Sequence, residues 1–257
     1  MTTATWDPAQ YLKWSDHRLR PAVDLLQRVA VANPTEVVDL GCGTGNVTGL
    51  LRARWPAAHV TGVDASSSML ERARASDPSV EWRQADVATW EPRAPVDVLF
   101  SNATLHWIDD HAALFPRLLA QVARGGALAV QMPRNFGEPS HTSIYEVVRT
   151  GSWRERLEKL IRPEPTKPPE YYWDLLRPHV SALDVWETVY TQALTGEHPV
   201  AEFVKGSWLK PFLDALDVDE RPVFEDAYRA RLARAYHQRA DGTTLFPFRR
   251  LFIVARC

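Results

Sequence analysis

The stretch that decides the fold is residues 37–49, which read VVDLGCGTGNVTG. A short apolar run ends in an acid, and a turn with glycine at every second position leads into a helical pattern. Glycine tolerates positive φ and has no Cβ, so a ligand can approach bare backbone at the start of a helix. The pattern predicts a strand, a ligand-binding turn and a helix.

The spacing of the glycines bears on the kind of ligand. A dinucleotide-binding turn reads G-x-G-x-x-G, and its third glycine would fall where this chain has Asn46. Asp39 stands two residues before the first glycine, where a carboxylate suits a positively charged ligand and repels a pyrophosphate. The order Asp39-x-Gly41-x-Gly43-x-Gly45 resembles the first motif of the class I S-adenosylmethionine (SAM) methyltransferases. A nicotinamide-dinucleotide site and a turn without a ligand are the alternatives.

The first half of the chain alternates strand-like and helical patterns, as a parallel sheet covered on both faces does. We expect strands at 36–40, 59–63, 80–84, 96–100 and 127–132, and helices at 19–30, 45–55, 67–75 and 112–123. Ser66 and Asp110 are expected to cap two of these helices. The pair Gly125-Gly126 is expected to break the chain before the fifth strand.

The second half of the chain does not continue this alternation of strand-like and helical patterns. Prolines and aromatic residues cluster after Met132, a β-like run covers 183–194, helical patterns continue to about His237, and an apolar run closes the chain at 250–255. The last two runs fit strands six and seven of a Rossmann-like α/β sheet with seven strands. We predict a single methyltransferase domain over 1–257, with a core of about 1–133, 183–195 and 247–257 and a helical substrate lid of about 134–182 and 196–246.

Composition narrows the class of partner. A net charge of −2 argues against a protein that binds nucleic acid or lipid headgroups by bulk charge. Two cysteines make no disulfide framework, and no apolar run approaches the length of a membrane span. The sequence therefore favours a cytoplasmic protein, a monomer or homodimer, that acts on a small molecule and neither binds nucleic acid nor enters a membrane.

Acids follow the first three predicted strands in order, and they are the centre of the predicted SAM site. Asp64 is placed to accept both ribose hydroxyls, with a helix cap as the alternative role. Asp86 and the N–H of Val87 would form hydrogen bonds to the adenine. Alternatively, Asp86 is an aspartate that only stabilises a turn. Met69 would lie on the adenine face or fill the core. With Asp39, the remaining predicted cofactor residues are Gly41, Cys42, Gly43, Ala65 and Asn102. No metal is expected.

From residue 6 to residue 256 the chain resembles the trans-aconitate 2-methyltransferase family. The resemblance rests on the glycine turn and on Tyr11-Leu12, Arg20-Pro21-Ala22-Val23, Ser101-Asn102-Ala103, Gln131-Met132-Pro133, Tyr171-Tyr172 and Arg250-Leu251-Phe252-Ile253-Val254-Ala255. It implies that the enzyme esterifies a carboxylate of a small tricarboxylic acid and releases S-adenosylhomocysteine. The chain departs from the family at Thr44, where proline is common, and it matches poorly over 152–169.

A substrate of this kind supplies its own nucleophile. A carboxylic acid with a pKa of about 4 is ionised at neutral pH, so no general base is required and we assign no catalytic residue. His106 and His141 are interpreted as hydrogen-bonding or surface histidines. The protein's task is then to align the carboxylate with the methyl donor in a dry pocket.

Positively charged side chains should bind the carboxylates that do not react. Tight binding of the attacking oxygen would stabilise the ground state more than the transition state. Arginine binds carboxylates bidentately. We predict Arg20 and Arg250 as clamps, with Arg249 as a third, and the neutral substrate contacts Tyr11, Gln131, Asn135 and Tyr171.

Three other functions stay open at this level. The same fold could methylate another small carboxylic acid or a phenolic metabolite. It could bind SAM without catalysis, as a sensor does, or it could be a Rossmann oxidoreductase that binds a nicotinamide cofactor.

Overall fold

A computed structural model describes the backbone of residues 15–257 and the side chains of residues 19–257. Within this range the chain forms a seven-stranded sheet in the order β3-β2-β1-β4-β5-β7-β6. The strands are β1 (Glu36–Leu40), β2 (His59–Asp64), β3 (Glu81–Gln84), β4 (Val96–Asn102), β5 (Val122–Pro133), β6 (Ala182–Leu194) and β7 (Thr244–Arg256).

Helices connect and cover these strands. The described α-helices are α1 (Ser15–Arg28), α2 (Asn46–Arg54), α3 (Ser67–Ser76), α4 (His111–Ala120), α5 (Pro139–Thr150), α6 (Arg154–Leu157), α7 (Pro169–Leu176), α8 (Pro199–Lys205), α9 (Lys210–Asp214) and α10 (Glu220–Ala235). Short 3₁₀ turns lie at Leu105–Trp107, Glu158–Leu160 and Arg177–His179.

The strand order confirms the predicted Rossmann-like fold. β1 pairs in parallel with both β2 and β4, so the order of the sheet reverses at β1. Ligands of open α/β sheets bind beyond the carboxyl ends of the strands at such a reversal. β7 runs antiparallel to β5, with Gln131 opposite Phe252 and Pro133 opposite Arg250. This pairing brings residues from the end of the chain to the carboxyl end of β5.

Two predicted caps are confirmed. The N–H of Met69 donates to the hydroxyl of Ser66 at the start of α3, and the N–H of Ala113 donates to the carboxylate of Asp110 at the start of α4. Each bond satisfies a backbone donor that has no partner within its own helix. Short polar side chains before an apolar helical pattern therefore predicted both helix starts correctly.

The expected break at Gly125-Gly126 is wrong. Strand β5 begins at Val122 and runs through both glycines, and the register with β4 shifts there because Val96 pairs with Val122 while Val98 pairs with Ala127. A Cβ on Gly126 would lie 2.5 Å from the carbonyl oxygen of Asp97. Gly126 thus allows close approach of two strands at a bulge, which is the other common use of glycine within a strand pattern.

The contacts divide the described chain into two compact units. The sheet unit comprises Asp16–Pro133, Thr166–Thr188 and Arg250–Cys257, and the helical unit comprises mainly Arg134–Pro165 and Val189–Arg249. The sheet unit packs around a core that includes Leu99, Phe115 and Tyr172. The helical unit has its own core, which includes Trp208 and Tyr228. The predicted lid included residues 166–182, which the contacts group with the sheet unit.

Candidate active site

Three hydrogen bonds hold the glycine turn after β1 against the end of β2, and a fourth closes the turn on itself. The N–H groups of Gly41 and Cys42 both donate to the carbonyl of Val63, at 2.7 and 3.0 Å. The N–H of Gly43 donates to Asp64 Oδ2 at 2.8 Å, and Gly45 N–H closes the turn onto the carbonyl of Cys42. The turn therefore has a fixed shape before any ligand arrives.

Two of the glycines have different roles in the turn. Gly41 has φ of +82°, and a Cβ there would lie 2.2 Å from the side chain of Thr104. Gly43 also has a positive φ, of +55°, but a Cβ on it would meet nothing within 4 Å among the described residues. Gly41 is thus needed for packing between the loops after β1 and β4, whereas Gly43 leaves open space over the turn.

Asp39 is almost completely buried directly before this turn. Burial raises the pKa of its carboxyl to about 7, although the hydroxyl of Thr48 donates to Oδ2 at 2.6 Å and opposes the shift. The neighbouring carboxylate of Asp64 adds to the increase in pKa by repulsion. Two acids that repel each other at one loop would both be relieved by a positively charged ligand.

Asp64 holds the turn and does not cap α3. Its Oδ2 accepts from Gly43 and its Oδ1 accepts from the N–H of Ser66 at 2.9 Å. Each oxygen keeps further acceptor capacity, because a carboxylate oxygen has two lone pairs. The predicted role at the ribose remains a prediction. Asp86 is exposed and its Oδ1 accepts from Ala88 N–H, which is the turn geometry named as its alternative.

The other predicted cofactor residues lie around the same strand ends. Cys42 is buried, and desolvation followed by repulsion from Asp39 and Asp64 raises the pKa of its thiol, so the thiol stays protonated. Met69 and Val87 are buried, whereas Ala65 is exposed. Burial of Met69 in the first turn of α3 fits either of its two predicted roles.

Three predicted residues lie on one face of the sheet, two at the carboxyl ends of β4 and β5 and one beside them in the middle of β7. Asn102 on β4 pairs with Gln131 on β5, and Arg250 on β7 donates from Nη1 to Gln131 Oε1 at 3.3 Å. Gln131 is fully buried and Arg250 is 4% exposed. Asn102 Oδ1 and Gln131 Nε2 are buried and have no hydrogen-bond partner among the described residues. Buried polar atoms are usually paired, so Asn102 Oδ1 and Gln131 Nε2 are candidates for contact with a ligand.

The remaining predicted substrate residues differ widely in environment. Arg20 is exposed on α1, and Tyr171 is half-buried on α7 with its ring edge-on to Tyr172 at 5.2 Å. In the helical unit, Arg249 forms an ion pair with Glu138 at 3.6 Å. Asn135 is also in that unit and is buried, with no partner for Oδ1 among the described residues. Tyr11 lies outside the described residues.

Sequence reasoning missed the residues that support this arrangement. Thr48 binds Asp39, and the hydroxyl of Thr104 donates to the carbonyl of Gly41 at 3.2 Å. Thr48 stands nine residues after Asp39, in the first turn of the helix that follows the glycines, and this spacing is the only signal that the sequence offers for the first contact. Thr104 follows Gly41 by 63 residues, so its contact depends on the pairing of β1 with β4.

A buried network behind the end of β4 was also missed. The hydroxyl of Tyr172 donates to Nδ1 of His111 at 2.7 Å, and the other ring nitrogen donates to the carbonyl of Leu105 at 3.0 Å. Tyr172 in turn accepts from the N–H of Lys167. Desolvation lowers the pKa of His111, so the imidazole is neutral. The network joins α7 to α4 and to the turn after β4.

Over residues 15–257, no group of three or more His, Cys, Asp or Glu side chains has the arrangement of a metal site. In the same range, no helix is long and apolar enough to cross a membrane.

Known proteins similar to this chain decide its family. A family model described as "Methyltransferase domain" matches residues 37–126. A trans-aconitate 2-methyltransferase from Azoarcus sp. (strain BH72) is 49% identical over 251 residues, which cover 98% of each chain. The chain belongs to the trans-aconitate 2-methyltransferase family. A second trans-aconitate 2-methyltransferase, from Streptomyces coelicolor, is 47% identical over 99% of this chain and 88% of its own length.

Solved structures agree on the fold of this trans-aconitate 2-methyltransferase family member. The YcgJ protein of Bacillus subtilis aligns with a TM-score of 0.58 at 13% identity over 93% of this chain and 99% of its own. Phosphoethanolamine N-methyltransferase 2 of Haemonchus contortus, solved with SAM, gives 0.53 at 17% identity over 92% of this chain and 52% of its own. The fold is therefore the class I fold of SAM-dependent methyltransferases, and the chain is a methyltransferase.

Proposed function

We propose that this enzyme transfers the methyl group of SAM to a carboxylate of trans-aconitate or a closely related tricarboxylic acid, giving a methyl ester and S-adenosylhomocysteine. The observation that carries the proposal is the buried Arg250, which is fixed by Gln131 at the end of β5. A guanidinium is costly to bury, and a binding site for a polyanionic substrate gives a reason to place one there.

The residues after β1, β2 and β4 fit SAM. SAM supplies an electrophilic methyl group on a positively charged sulfur. Asp39 and Asp64 place two carboxyl groups at the turn, Gly43 leaves its backbone open, and Asn102 Oδ1 offers an acceptor without a partner among the described residues. We assign cofactor binding to Asp39, Gly41, Cys42, Gly43, Asp64, Ala65, Met69, Asp86, Val87 and Asn102.

The change in charge during the reaction determines which carboxylate of the substrate an arginine should bind. The reaction turns a carboxylate and a sulfonium into a neutral ester and thioether, so negative charge on the acceptor falls in the transition state. An arginine on the reacting carboxylate would stabilise the ground state more than the transition state. Arg250 therefore binds a carboxylate that does not react, with Arg20 and Arg249 as further contacts. Tyr11, Gln131, Asn135 and Tyr171 contribute uncharged hydrogen bonds.

The proposal also covers the cellular compartment of the enzyme, its oligomeric state and its substrate lid. Cys42 and Cys257 are both free thiols in the described chain, as suits a reducing compartment. We therefore place the enzyme in the cytoplasm, as a monomer or homodimer with a small polycarboxylate as its substrate. The helical substrate lid, residues 134–182 and 196–246, remains part of the proposal.

The direct test is an assay with methyl-labelled SAM and a panel of acceptors that includes trans-aconitate, other small polycarboxylates and a phenol. A labelled methyl ester of trans-aconitate, identified by mass spectrometry, supports the proposal. Transfer only to a monocarboxylate or a phenol contradicts it and selects the alternative acceptor class. Calorimetric binding of S-adenosylhomocysteine without transfer to any acceptor contradicts it as well and selects a SAM-binding module.

A further inference from the structure

The loop after β3 carries two residues of the proposed cofactor site, Asp86 and Val87, and it folds back onto the first of them. Oδ1 of Asp86 accepts from the N–H of Ala88 at 2.9 Å. The carbonyl of Asp86 accepts from the N–H groups of Thr89 and Trp90, at 3.1 and 2.8 Å. Asp86 thus binds the N–H groups of three successive residues and closes a compact turn over residues 86–90.

Two neighbouring groups of this turn take part in none of the hydrogen bonds formed among the described residues. They are the backbone N–H of Val87, which is a donor, and Oδ2 of the exposed Asp86, which is an acceptor. The Watson–Crick edge of adenine carries the complementary pair, since its ring nitrogen N1 accepts and its exocyclic amino group donates. The turn therefore offers the hydrogen-bonding pattern that the proposed adenine contacts require.

One arginine of α4 holds the carbonyl groups of the same turn. Arg117 donates from Nη1 to the carbonyl of Trp90 at 2.7 Å and from Nη2 to the carbonyl of Val87 at 3.1 Å. The side-chain amide of Gln121, directly after α4, donates to the same Trp90 carbonyl at 3.1 Å. The turn, α4 and all of these contacts belong to the sheet unit. Because a guanidinium is planar and presents its donors at fixed spacing, two bonds from it set both the position and the orientation of the turn.

Apolar packing alone would not set this orientation. The side chains of Val87 and Trp90 are buried in the core of the sheet unit, together with Phe115 and Leu118 of α4. Burial of apolar groups has no preferred direction, whereas a hydrogen bond requires alignment of its donor and acceptor. The N–H of Val87 lies one peptide group before the carbonyl that Arg117 holds, so a rotation of the turn against α4 would move this N–H.

We infer that Arg117 is a positioning residue that directs the Val87 N–H and the Asp86 carboxylate at the adenine of SAM, and that it thereby determines the preference of the enzyme for adenine over other purines. This inference rests on the proposed function and adds a specificity-determining residue to it. Arg117 acts through the turn, from the side of α4. Lysine could not replace it fully, because an ammonium group is a point charge without the fixed fork that spans two carbonyls.

The test compares two ligands that differ only in the purine, S-adenosylhomocysteine and S-inosylhomocysteine. Hypoxanthine has a donor at N1 and an acceptor in place of the amino group, so both contacts with the turn would be mismatched. By calorimetry the wild type should prefer S-adenosylhomocysteine on the order of 100-fold. Arg117→Met keeps the aliphatic stem but removes both donors. It should weaken S-adenosylhomocysteine about tenfold, equivalent to about 1.4 kcal/mol, and leave the weaker ligand nearly unchanged, so the preference falls by the same factor.

Arg93→Met is the matched control, because Arg93 is an exposed arginine between β3 and β4, and it should leave both dissociation constants unchanged. An unchanged preference in Arg117→Met would overturn the inference even if the melting temperature fell, and so would an equal loss for both ligands or the same fall in Arg93→Met. If Arg117→Met does not fold, Arg117→Lys decides the question: a several-fold fall in preference supports the inference and an unchanged preference refutes it. Equal binding of both ligands by the wild type also refutes it, whereas binding of neither would refute the proposed function.

Discussion

Gln131 Oε1 accepts a hydrogen bond from Arg250 Nη1 at 3.3 Å, between two residues that are 119 positions apart in the sequence. Both side chains are buried on neighbouring antiparallel strands, near the carboxyl end of β5 and in the middle of β7. An amide fixes the guanidinium as a carboxylate would, but it leaves the positive charge in place. The pair therefore fixes the orientation of the Arg250 guanidinium beside the carboxyl end of β5.

Replacing Gln131 by glutamate tests this role. Gln131→Glu should keep the bond to Arg250 but cancel its charge, so KM for trans-aconitate should rise tenfold or more, equivalent to about 1.4 kcal/mol. The dissociation constant for S-adenosylhomocysteine, measured by calorimetry, should change far less. Gln131→Met is the uncharged control of similar size. A larger rise in KM for Gln131→Met than for Gln131→Glu would show that the charge of the pair does not matter.

The two adjacent arginines are expected to differ. Arg250→Gln removes a buried charge and should raise KM for a tricarboxylate roughly 10- to 100-fold, since hydrogen bonds to charged groups contribute about 1.5–3 kcal/mol. Arg249→Gln should have the smaller effect, because Arg249 is more exposed and is paired with Glu138. Steady-state kinetics with varied acceptor at saturating SAM gives both values. The assignment of Arg250 fails if the order of the two effects is reversed.

Substitutions at two glycines of the turn should affect protein stability and ligand binding differently. Gly41→Ala would place a methyl group into Thr104 and should lower the melting temperature strongly. Gly43→Ala meets no described atom, so it should cost only the roughly 1–2 kcal/mol of a left-handed backbone while it covers the open face of the turn. Calorimetry with S-adenosylhomocysteine should show weak or no binding for the folded Gly43 variant. Unchanged affinity in that variant would place the ligand elsewhere.

The buried Asp39 predicts how stability depends on pH. Its pKa is about 7 in the folded protein and 3.8 as the reference value, so between these values the folded state holds a proton that the unfolded state has released. Its contribution to stability is fully present below pH 4 and is lost as the pH rises through about 7. The size of this loss is on the order of 4 kcal/mol.

Asp39→Asn should abolish this dependence, because an amide does not titrate. Urea denaturation of both proteins without SAM, at pH 5 and pH 8, gives the difference in their free energies of unfolding. The variant should gain on the wild type as the pH rises, and comparison with the wild type cancels the titration of groups such as His111. A difference that does not change with pH would mean that Asp39 is not the buried titrating group.

The network of His111 and Tyr172 predicts a change in stability. Tyr172→Phe would leave His111 Nδ1 and the N–H of Lys167 without their partner, and each buried unsatisfied group costs about 1–3 kcal/mol. The free energy of unfolding should fall by about 2 kcal/mol or more in chemical denaturation. The neighbouring Tyr171→Phe is the control, and its effect should be small because that side chain is half-buried. Equal effects would argue against the network.

The sequence predicted correctly the features that depend on residues nearby in the chain. The strand, turn and helix at 36–54 and the caps Ser66 and Asp110 depend on neighbours a few residues away, and those predictions are confirmed. The glycine pair at 125–126 was misread because glycine marks both a break and a strand bulge, and the choice depends on the distance to a strand that is remote in sequence.

The candidate site likewise has features that the sequence could predict and features that depend on contacts between remote residues. The sequence named Asp39, Gln131 and Arg250 by position in a motif or a strand, yet it gave no sign that a glutamine would be the partner of Arg250. It interpreted His141 as an ordinary histidine, because a single histidine in a helical pattern carries no signal about its burial. Both facts depend on side chains that meet only in the folded chain.

The sequence by itself determined the fold, the family and the place of the glycine turn, because these follow from short-range patterns and from similarity along the chain. Only the tertiary structure decided which polar groups are buried, which are paired and which lack a partner among the described residues. Burial and pairing set the charge and the hydrogen-bonding capacity of a side chain, and they arise from contacts between residues far apart in sequence.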